Sequence, residues 1–431
     1  MIKKSQWTYR ELLIFSIPSI LSSLVEPLAS VVDTSLVGHL NTFHLAALGI
    51  GTTLFNSFTW GFNFLVHTTT QAVSESIGRE NKLEINQKIR VSILFTGVVG
   101  IIAAIILYIF KLPLYKLAGA NEFLINPVNE YFTIRLIGHP MALFYLTFLS
   151  ILRGFGRVKL TFVLVLITTS LNILISWSLL YQFNLGISGV ALGTIASSVI
   201  GSILSLIFVC KEKYVEVFKY IPLNLSDIKI FGKNSFAFFS RSASLTCAFF
   251  LTTKFASQLG VKTLAAHQIV LQFWLMMAYL IDGLAITANI LIANFKGENN
   301  TKKMVRVTKD LLSIGTLLAA FVTLCFFFFP KVLWGFFTED ITLYPIISSV
   351  WVFVIIFQIP NAWAFILDGV LFGLAEFQYI KNHMMIGVFL ICIPIMLLGV
   401  RLKSLLIIWL GHGVLNVYRN ISYYLRVKKY L

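Results

Sequence analysis

Two long stretches of this sequence, residues 34–74 and 160–210, contain no Asp, Glu, Lys or Arg at all. A bilayer core about 30 Å thick needs roughly 20 apolar residues per helix. The second stretch is long enough for two passes, with a break at YQFNLGISG. Because 58% of all residues are hydrophobic and only 12% are charged, a soluble domain is excluded.

Apolar runs bounded by charged or turn residues predict about twelve membrane-spanning helices, and hence an all-α integral membrane protein. The predicted helices lie near 11–38, 45–72, 91–110, 128–152, 160–182, 187–209, 235–259, 264–294, 311–329, 344–372, 384–400 and 404–422.

The net charge of +16 raises the question of a nucleic-acid partner. With an even number of helices both termini share one side, and most of the 34 basic residues fall on that side. They include clusters at 79–90, 211–233 and 296–309, and Arg419, Arg426, Lys428 and Lys429 near the end. The positive-inside rule then predicts cytoplasmic termini in the plasma (inner) membrane. We expect the lipid bilayer, and no nucleic acid, as the partner of this charge.

The two halves of the sequence repeat. LAALGIGTTLF at Leu45 corresponds to LAAHQIVLQFW at Leu264, and GRENKLEINQKIRV at Gly78 corresponds to GENNTKKMVRV at Gly297, both at an offset of 219. This pattern predicts two pseudo-symmetric six-helix lobes, 1–210 and 235–431, joined by a cytoplasmic linker at 211–234. Lobes with an even number of helices have the same orientation, and substrate sites in such transporters lie between them.

Four motifs together resemble the multidrug and toxic compound extrusion (MATE) family, in its DinF-like branch. They are EPLASVVDTSLVGHL in the first helix, RGFGRVK after the fourth, LAAHQI in the eighth and DGLA at Asp282. The resemblance covers essentially the whole chain. It implies a V-shaped, twelve-helix exporter that exchanges an organic solute for protons or sodium by alternating access. We expect it to act as a monomer.

Asp33 is the residue of the first helix that is most costly to place inside a membrane. An Asp at the centre of a membrane helix costs about 2.5 to 3.5 kcal/mol on insertion scales, so it must face an interior. A buried carboxyl group that takes up and releases a proton is what ion coupling requires. Glu26 lies two turns earlier, and Pro27 removes a helix hydrogen bond between them, so the helix can bend and act as a gate. The alternative is that Asp33 only pairs with polar neighbours to position the helix.

The resemblance places the family's cation site at Asp33, Asn172 and Thr194. Many relatives carry a second carboxylate one turn after the Asn, whereas this sequence has Ser176. Sodium prefers several oxygen ligands and negative charge, while one buried acid is sufficient for a proton. The departure therefore favours protons without excluding sodium. Ordinary interhelical hydrogen bonding is the alternative role for Asn172 and Thr194.

The second half has acids of its own within apolar runs, Asp282 and Asp368, each followed by a Gly that allows close helix contact. Two branch-specific acids are absent: the seventh helix has none, and Asn361 follows the tenth-helix proline. Arg241 could neutralise one of the acids that remain. We predict a substrate cavity that includes Asp282, Asp368, Asn361 and Gln268 and accepts cationic or amphipathic organic solutes.

Two other classes of protein, a flippase and a membrane-embedded enzyme, are alternatives to the exporter. A flippase for a lipid-linked precursor would need basic residues in the cavity to hold phosphates, and Arg241 and Lys254 are the only candidates in the second half. An enzyme would need clustered catalytic groups, but no HExxH, GxSxG or DxD-like cluster occurs. The four cysteines show no CxxC spacing, so neither a metal site nor a cofactor is indicated.

Overall fold

The structure is a computed structural model of the chain. It describes residues 7–38, 42–120, 122–216, 219 and 222–430, and all their side chains except those of 26–31, 38, 42, 43, 56, 57, 59 and 60. The predicted gate residues Glu26 and Pro27 thus lie in the described backbone of a helix, but their side chains lie outside the described part.

The regular structure of the described residues is helical. The elements are α1 (Tyr9–Gly38), α2 (Thr42–Gly78), α3 (Lys82–Leu117), α4 (Glu122–Gly154), α5 (Val158–Trp177), α6 (Gly186–Cys210), α7 (Leu225–Gln258), α8 (Val261–Gly297), α9 (Thr301–Phe328), α10 (Pro330–Gly335), α11 (Tyr344–Gly373), α12 (Phe377–Ile386), α13 (Ile393–Arg401) and α14 (Leu405–Val427). A π-helical segment, Gly387–Cys392, joins α12 and α13 into one rod. Apart from the short α10, the described chain forms twelve long rods, so the predicted number is confirmed.

Several helices carry apolar side chains on their outer faces. On α3, Ile101, Ile105 and Ile109 are each at least 54% exposed. Soluble proteins rarely expose contiguous apolar patches of this kind, whereas lipid covers them without cost. Eight of the described helices are long and apolar enough to cross a membrane. The prediction of an all-α integral membrane protein is therefore confirmed.

The chain divides into two compact units. The first comprises Leu21–Ser235, and the second comprises Phe236–Leu431 together with the start of α1, up to Ile20. Two helices are thus divided between the units. Helix α1 begins in the second unit and continues in the first, and α7 begins in the first unit and continues in the second.

The start of α1 is a difference from the predicted lobes, which assign all of 1–210 to the first half. A Cβ atom at Gly283 of α8 would overlap the backbone of Ile20. This close helix contact holds the beginning of α1 in the second unit, and hydropathy alone gives no sign of it.

Each unit has one central helix. In the first unit α4 packs against α2, α3 and α6, and in the second unit α11 packs against α8, α9 and α14. These helices occupy corresponding places in the two halves of the chain. The predicted internal repeat is therefore present in the packing as well as in the sequence.

Helix α7 begins within the predicted linker, at Leu225 instead of 235. The Asn224 side chain accepts a hydrogen bond from the Ser226 amide at 3.0 Å, which stabilises the first turn. Lys88 of α3 forms an ion pair with Asp227 at 2.9 Å, and Phe231 packs on Phe95 with ring centroids 5.3 Å apart. The extension is too polar to register as a membrane helix, which is why the sequence prediction starts late.

Candidate functional site

Asp33 lies on α1 in the first unit and is half-buried. Its Oδ1 atom is buried and accepts no hydrogen bond from any described residue. Arg135 of α4 interacts electrostatically with the carboxylate. The Arg135 guanidinium lies over the rings of Phe55 and Tyr131, at 5.1 and 5.8 Å from their centroids. Asp33 therefore lies within electrostatic range of a cation that two aromatic rings flank.

Asn172 of α5 and Thr194 of α6 lie next to each other and form the interhelical hydrogen bond that is the alternative to an ion site. The Asn172 Nδ2 atom donates a hydrogen bond to Thr194 Oγ1 at 3.1 Å, and Thr194 Oγ1 donates to the Val190 carbonyl at 3.0 Å. Within the described residues, neither side chain is hydrogen-bonded to Asp33. The geometry thus joins two of the three predicted residues directly and leaves Asp33 outside this pair.

Ser176 occupies the position where many relatives of the predicted family carry a carboxylate. It is fully buried, and a Cβ atom at Gly193 of α6 would lie 2.7 Å from the Ser176 amide nitrogen. Because α5 and α6 meet this closely, a longer acidic side chain at residue 176 would have no space. The departure noted in the sequence is therefore matched by the packing.

Asp368 of α11 lies between two arginines in the second unit. Its Oδ2 atom accepts hydrogen bonds from Arg241 of α7 and Arg419 of α14. The Asp368 and Arg419 side chains are 2% and 1% exposed, whereas Arg241 is 10% exposed. We call these three residues the Asp368 cluster. It carries two positive charges and one negative charge inside the unit.

Polar side chains continue from the Asp368 cluster along α11 and α14. Asn416 Nδ2 donates to Asn361 Oδ1 at 3.0 Å, and Arg419 donates to Asn416 Oδ1 at 2.8 Å. Gln358 is fully buried, and neither end of its amide has a partner among the described residues. Asn361 Nδ2, Asp368 Oδ1 and both arginine Nε atoms also lack partners there. Buried polar atoms are normally hydrogen-bonded, so this polar seam has bonding capacity that the described protein does not use.

The other two predicted cavity residues lie on α8. Asp282 is half-buried, Gln268 is exposed, and neither is bonded to the Asp368 cluster within the described residues. The glycine prediction is confirmed for both acids, because a Cβ at Gly283 or Gly369 would overlap the backbone of a neighbouring helix.

Two arginines of these sites were missed from the sequence. Arg135 interrupts the apolar run of the fourth helix, which is the same signal that identified Asp33. Arg419 is assigned by sequence to the cytoplasmic charge, and the structure corrects this, because it is 1% exposed beside Asp368. Its spacing of three from Asn416 places both on one helix face, which could have indicated an interior role. The expected pairing of Arg241 with an acid is confirmed.

Comparison with known proteins agrees with the repeat. The MatE family profile matches residues 18–178 and again residues 239–398, once in each half. The chain belongs to the MatE family. It is therefore a multi-pass membrane transporter of the multidrug and toxic compound efflux type. The resemblance indicated by the first-helix, RGFGRVK, eighth-helix and DGLA motifs is confirmed.

Curated relatives of this MatE protein come from plants and bacteria. Protein DETOXIFICATION 43 of Arabidopsis thaliana is 26% identical over an alignment of 476 positions, gaps included, which covers 96% of this chain and 89% of the relative. The DNA damage-inducible protein F of Escherichia coli K12 is 20% identical over 410 residues, covering 93% and 86%.

Solved structures show that the MatE fold is shared. The Vibrio cholerae MATE transporter VcmN in its bent form has a TM-score of 0.91 at 19% identity, covering 98% of this chain and 96% of that one. A MOP superfamily transporter from Pyrococcus furiosus has a TM-score of 0.88 at 19% identity, covering 98% and 96%.

Proposed function

We propose that this protein is a secondary active antiporter that exports organic solutes in exchange for protons, with Asp33 as the coupling group. The observation that carries the proposal is the Oδ1 atom of Asp33, which is buried and has no described hydrogen-bond partner. A carboxylate in the interior of a membrane protein is retained only for a function or a partner. An unpartnered oxygen can take up a proton without breaking an existing hydrogen bond.

Several features favour a proton over sodium. A sodium ion at Asp33 would lie near the positive charge of Arg135, whereas a proton forms a covalent bond and removes the carboxylate charge. Sodium also needs several oxygen ligands, and the tight contact at Ser176 leaves no room for a second carboxylate. Asn172 and Thr194 are already bonded to each other. Sodium is the alternative that the experiment below separates.

The coupling follows from the two charge states of Asp33. The charged carboxylate attracts Arg135 of α4, and the protonated form loses this attraction. Shifting a two-state protein almost completely needs about 5.5 kcal/mol of differential free energy. The desolvation penalty of one buried charge is several kcal/mol. Protonation can therefore supply much of the shift, and Pro27 provides a point at which α1 can bend.

The deciding experiment uses the full chain in reconstituted vesicles. Efflux of one cationic and one anionic fluorescent amphiphile is measured with a pH gradient in the absence of sodium, and separately with a sodium gradient at equal pH. We expect the pH gradient alone to drive efflux of at least one dye. Efflux that follows only the sodium gradient would contradict proton coupling, and efflux that follows neither would contradict antiport.

One observation favours the alternative function, a flippase for a lipid-linked precursor. It needs interior basic residues that hold phosphates, and Arg419 adds to the two candidates found in the sequence. Membership of the MatE family supports the exporter instead. The response of the Asp368 cluster to phosphate, described below, separates the two.

A further inference from the structure

We infer that the Asp368 cluster binds the carboxylate group of an organic anion, so that the exported solute carries negative charge at this point. The inference rests on the proposed export function and specifies the chemistry of its cargo. It differs from the cationic cargo predicted from the sequence, because two arginines outnumber the single carboxylate of Asp368.

The charges of the cluster do not balance. Arg241 and Arg419 share the single carboxylate of Asp368, and neither has another acidic partner among the described residues. Transferring a charge from water into a protein interior costs several kcal/mol unless a counter-charge compensates it. A bound anion would supply the missing negative charge, whereas a cation would be repelled by the excess positive charge.

Arg241 is the least buried member of the cluster. Its side chain is 10% exposed, compared with 1% for Arg419 and 2% for Asp368. The rings of Phe238 and Phe372 lie 5.5 and 5.4 Å from the guanidinium carbon and hold it in place. An arginine fixed in this way is preorganised, so little side-chain entropy is lost when it binds a ligand.

The ligand chemistry follows from the shape of the guanidinium group. Its planar fork matches a carboxylate through two parallel hydrogen bonds, and its Nε atom has no described partner. Asp368 already shows that this arrangement accepts a carboxylate. The unpartnered amides of Gln358 and Asn361 continue the seam with neutral donors and acceptors, which suits the uncharged polar groups of an organic acid.

The first test is equilibrium binding to the purified full chain in detergent. Radiolabelled benzoate is the probe, benzamide is its neutral isostere, and inorganic phosphate is the competing anion. We expect benzamide to compete at least about tenfold more weakly than benzoate, since charge-assisted hydrogen bonds are roughly twice as strong as neutral ones. Equal competition by benzamide, or no benzoate binding, would overturn the inference. Stronger competition by phosphate would also overturn it and would favour a phosphate-bearing ligand.

Two variants predict opposite changes. Arg241→Gln leaves a neutral Asp368–Arg419 pair, so benzoate affinity should fall about ten- to a hundredfold. Asp368→Asn removes the competing carboxylate, so benzoate should bind more tightly and raise the Tm of this variant more than that of the wild type. Arg401→Gln, at an exposed arginine of the same unit, is the control and should bind as the wild type does.

A purely structural role would lower the stability of both cluster variants and leave benzoate affinity unchanged, and that result would contradict the inference. If Asp368→Asn does not fold, Arg241→Gln against Arg401→Gln still decides. Binding needs no gradient, so its failure is distinct from failure of the proposed antiport. Benzoate binding without pH-driven efflux would contradict only the proposed coupling. Efflux without benzoate binding would contradict only the anion site.

Discussion

At the residue scale, Asp33 carries the clearest prediction. Asp33→Asn mimics the protonated side chain permanently, so we expect pH-driven efflux to fall to the level of empty vesicles while the protein still folds and inserts. Asp33→Glu can still change charge but is one methylene longer, so it should recover part of the activity. The measurement is dye efflux from vesicles of matched protein content, with the elution profile on gel filtration as the folding check.

The matched control for Asp33 is Asp340→Asn, which makes the same chemical change at an exposed residue between α10 and α11. It should transport at the wild-type rate. If Asp33→Asn also concentrates solute at the wild-type rate, Asp33 is not the coupling residue, and Asp282 becomes the next candidate.

At the scale of elements, close helix contacts depend on single glycines. A Cβ at Gly369 of α11 would overlap the Ala285 backbone of α8, so Gly369→Ala should destabilise the protein by about 1–3 kcal/mol through overpacking. Gly49 of α2 has no atom within 4 Å of its Cβ position. Gly49→Ala should therefore be neutral or stabilising by up to about 1 kcal/mol. Thermal unfolding of both variants checks the pair, and an equal Tm for the two would contradict the assigned packing.

The linker is attached to α3 by a contact that depends on pH. Lys82 donates a hydrogen bond to Glu216 at 2.6 Å, and this bond lowers the pKa of Glu216 below its usual value of 4.5. A lowered carboxyl pKa means that the contact stabilises the fold above the unfolded pKa and is lost as pH falls through the lower folded value. Hydrogen-exchange protection of 211–224, corrected for intrinsic rates, should therefore fall below pH 4.5.

Lys82→Gln provides the check on this linker contact, because it removes the hydrogen bond that contributes most to the lowered Glu216 pKa. The variant should show weak linker protection on both sides of pH 4.5. Arg306→Gln removes a different exposed ion pair, with Asp310, and should keep the wild-type pH response. A wild-type response in Lys82→Gln would show that another group controls the linker.

At the scale of the whole molecule, we predict that both termini and the linker are cytoplasmic. Twelve membrane crossings, one for each rod, would return the chain to the side on which it starts, and the positive-inside rule assigns the basic side to the cytoplasm. An impermeant maleimide applied to intact cells should leave Lys219→Cys unlabelled and should label Thr338→Cys, in the loop between α10 and α11. Labelling of Lys219→Cys from outside would reverse the orientation.

Hydropathy was sufficient for much of the fold because lipid imposes a one-dimensional rule. Each span must be apolar and must satisfy its own backbone hydrogen bonds, so helices can be read as runs along the sequence. The rule fails where a helix leaves the apolar layer. The polar start of α7 at Leu225 is stabilised by Asn224 and by the Lys88–Asp227 ion pair, which are contacts that no hydropathy window contains.

For the candidate sites, too, the sequence predicts what depends on local residues and misses what depends on contacts between helices. The cost of a charge in a membrane identifies Asp33, Asp282 and Asp368 from sequence, because it depends only on the residue and its apolar neighbours. Whether such a charge is free or paired depends on residues from other helices. Arg419 lies 51 residues from Asp368 in the chain, and Arg241 lies 127 residues away.

Local composition and spacing are thus sufficient to predict the membrane environment, the number of helices, the internal repeat and the position of the interior acids. The packing of the helices was needed to show that Arg135 influences Asp33 and that two arginines surround Asp368. The physical reason is that the sign of a buried site is the sum of charges from several helices, and helix rotation and packing bring those charges together.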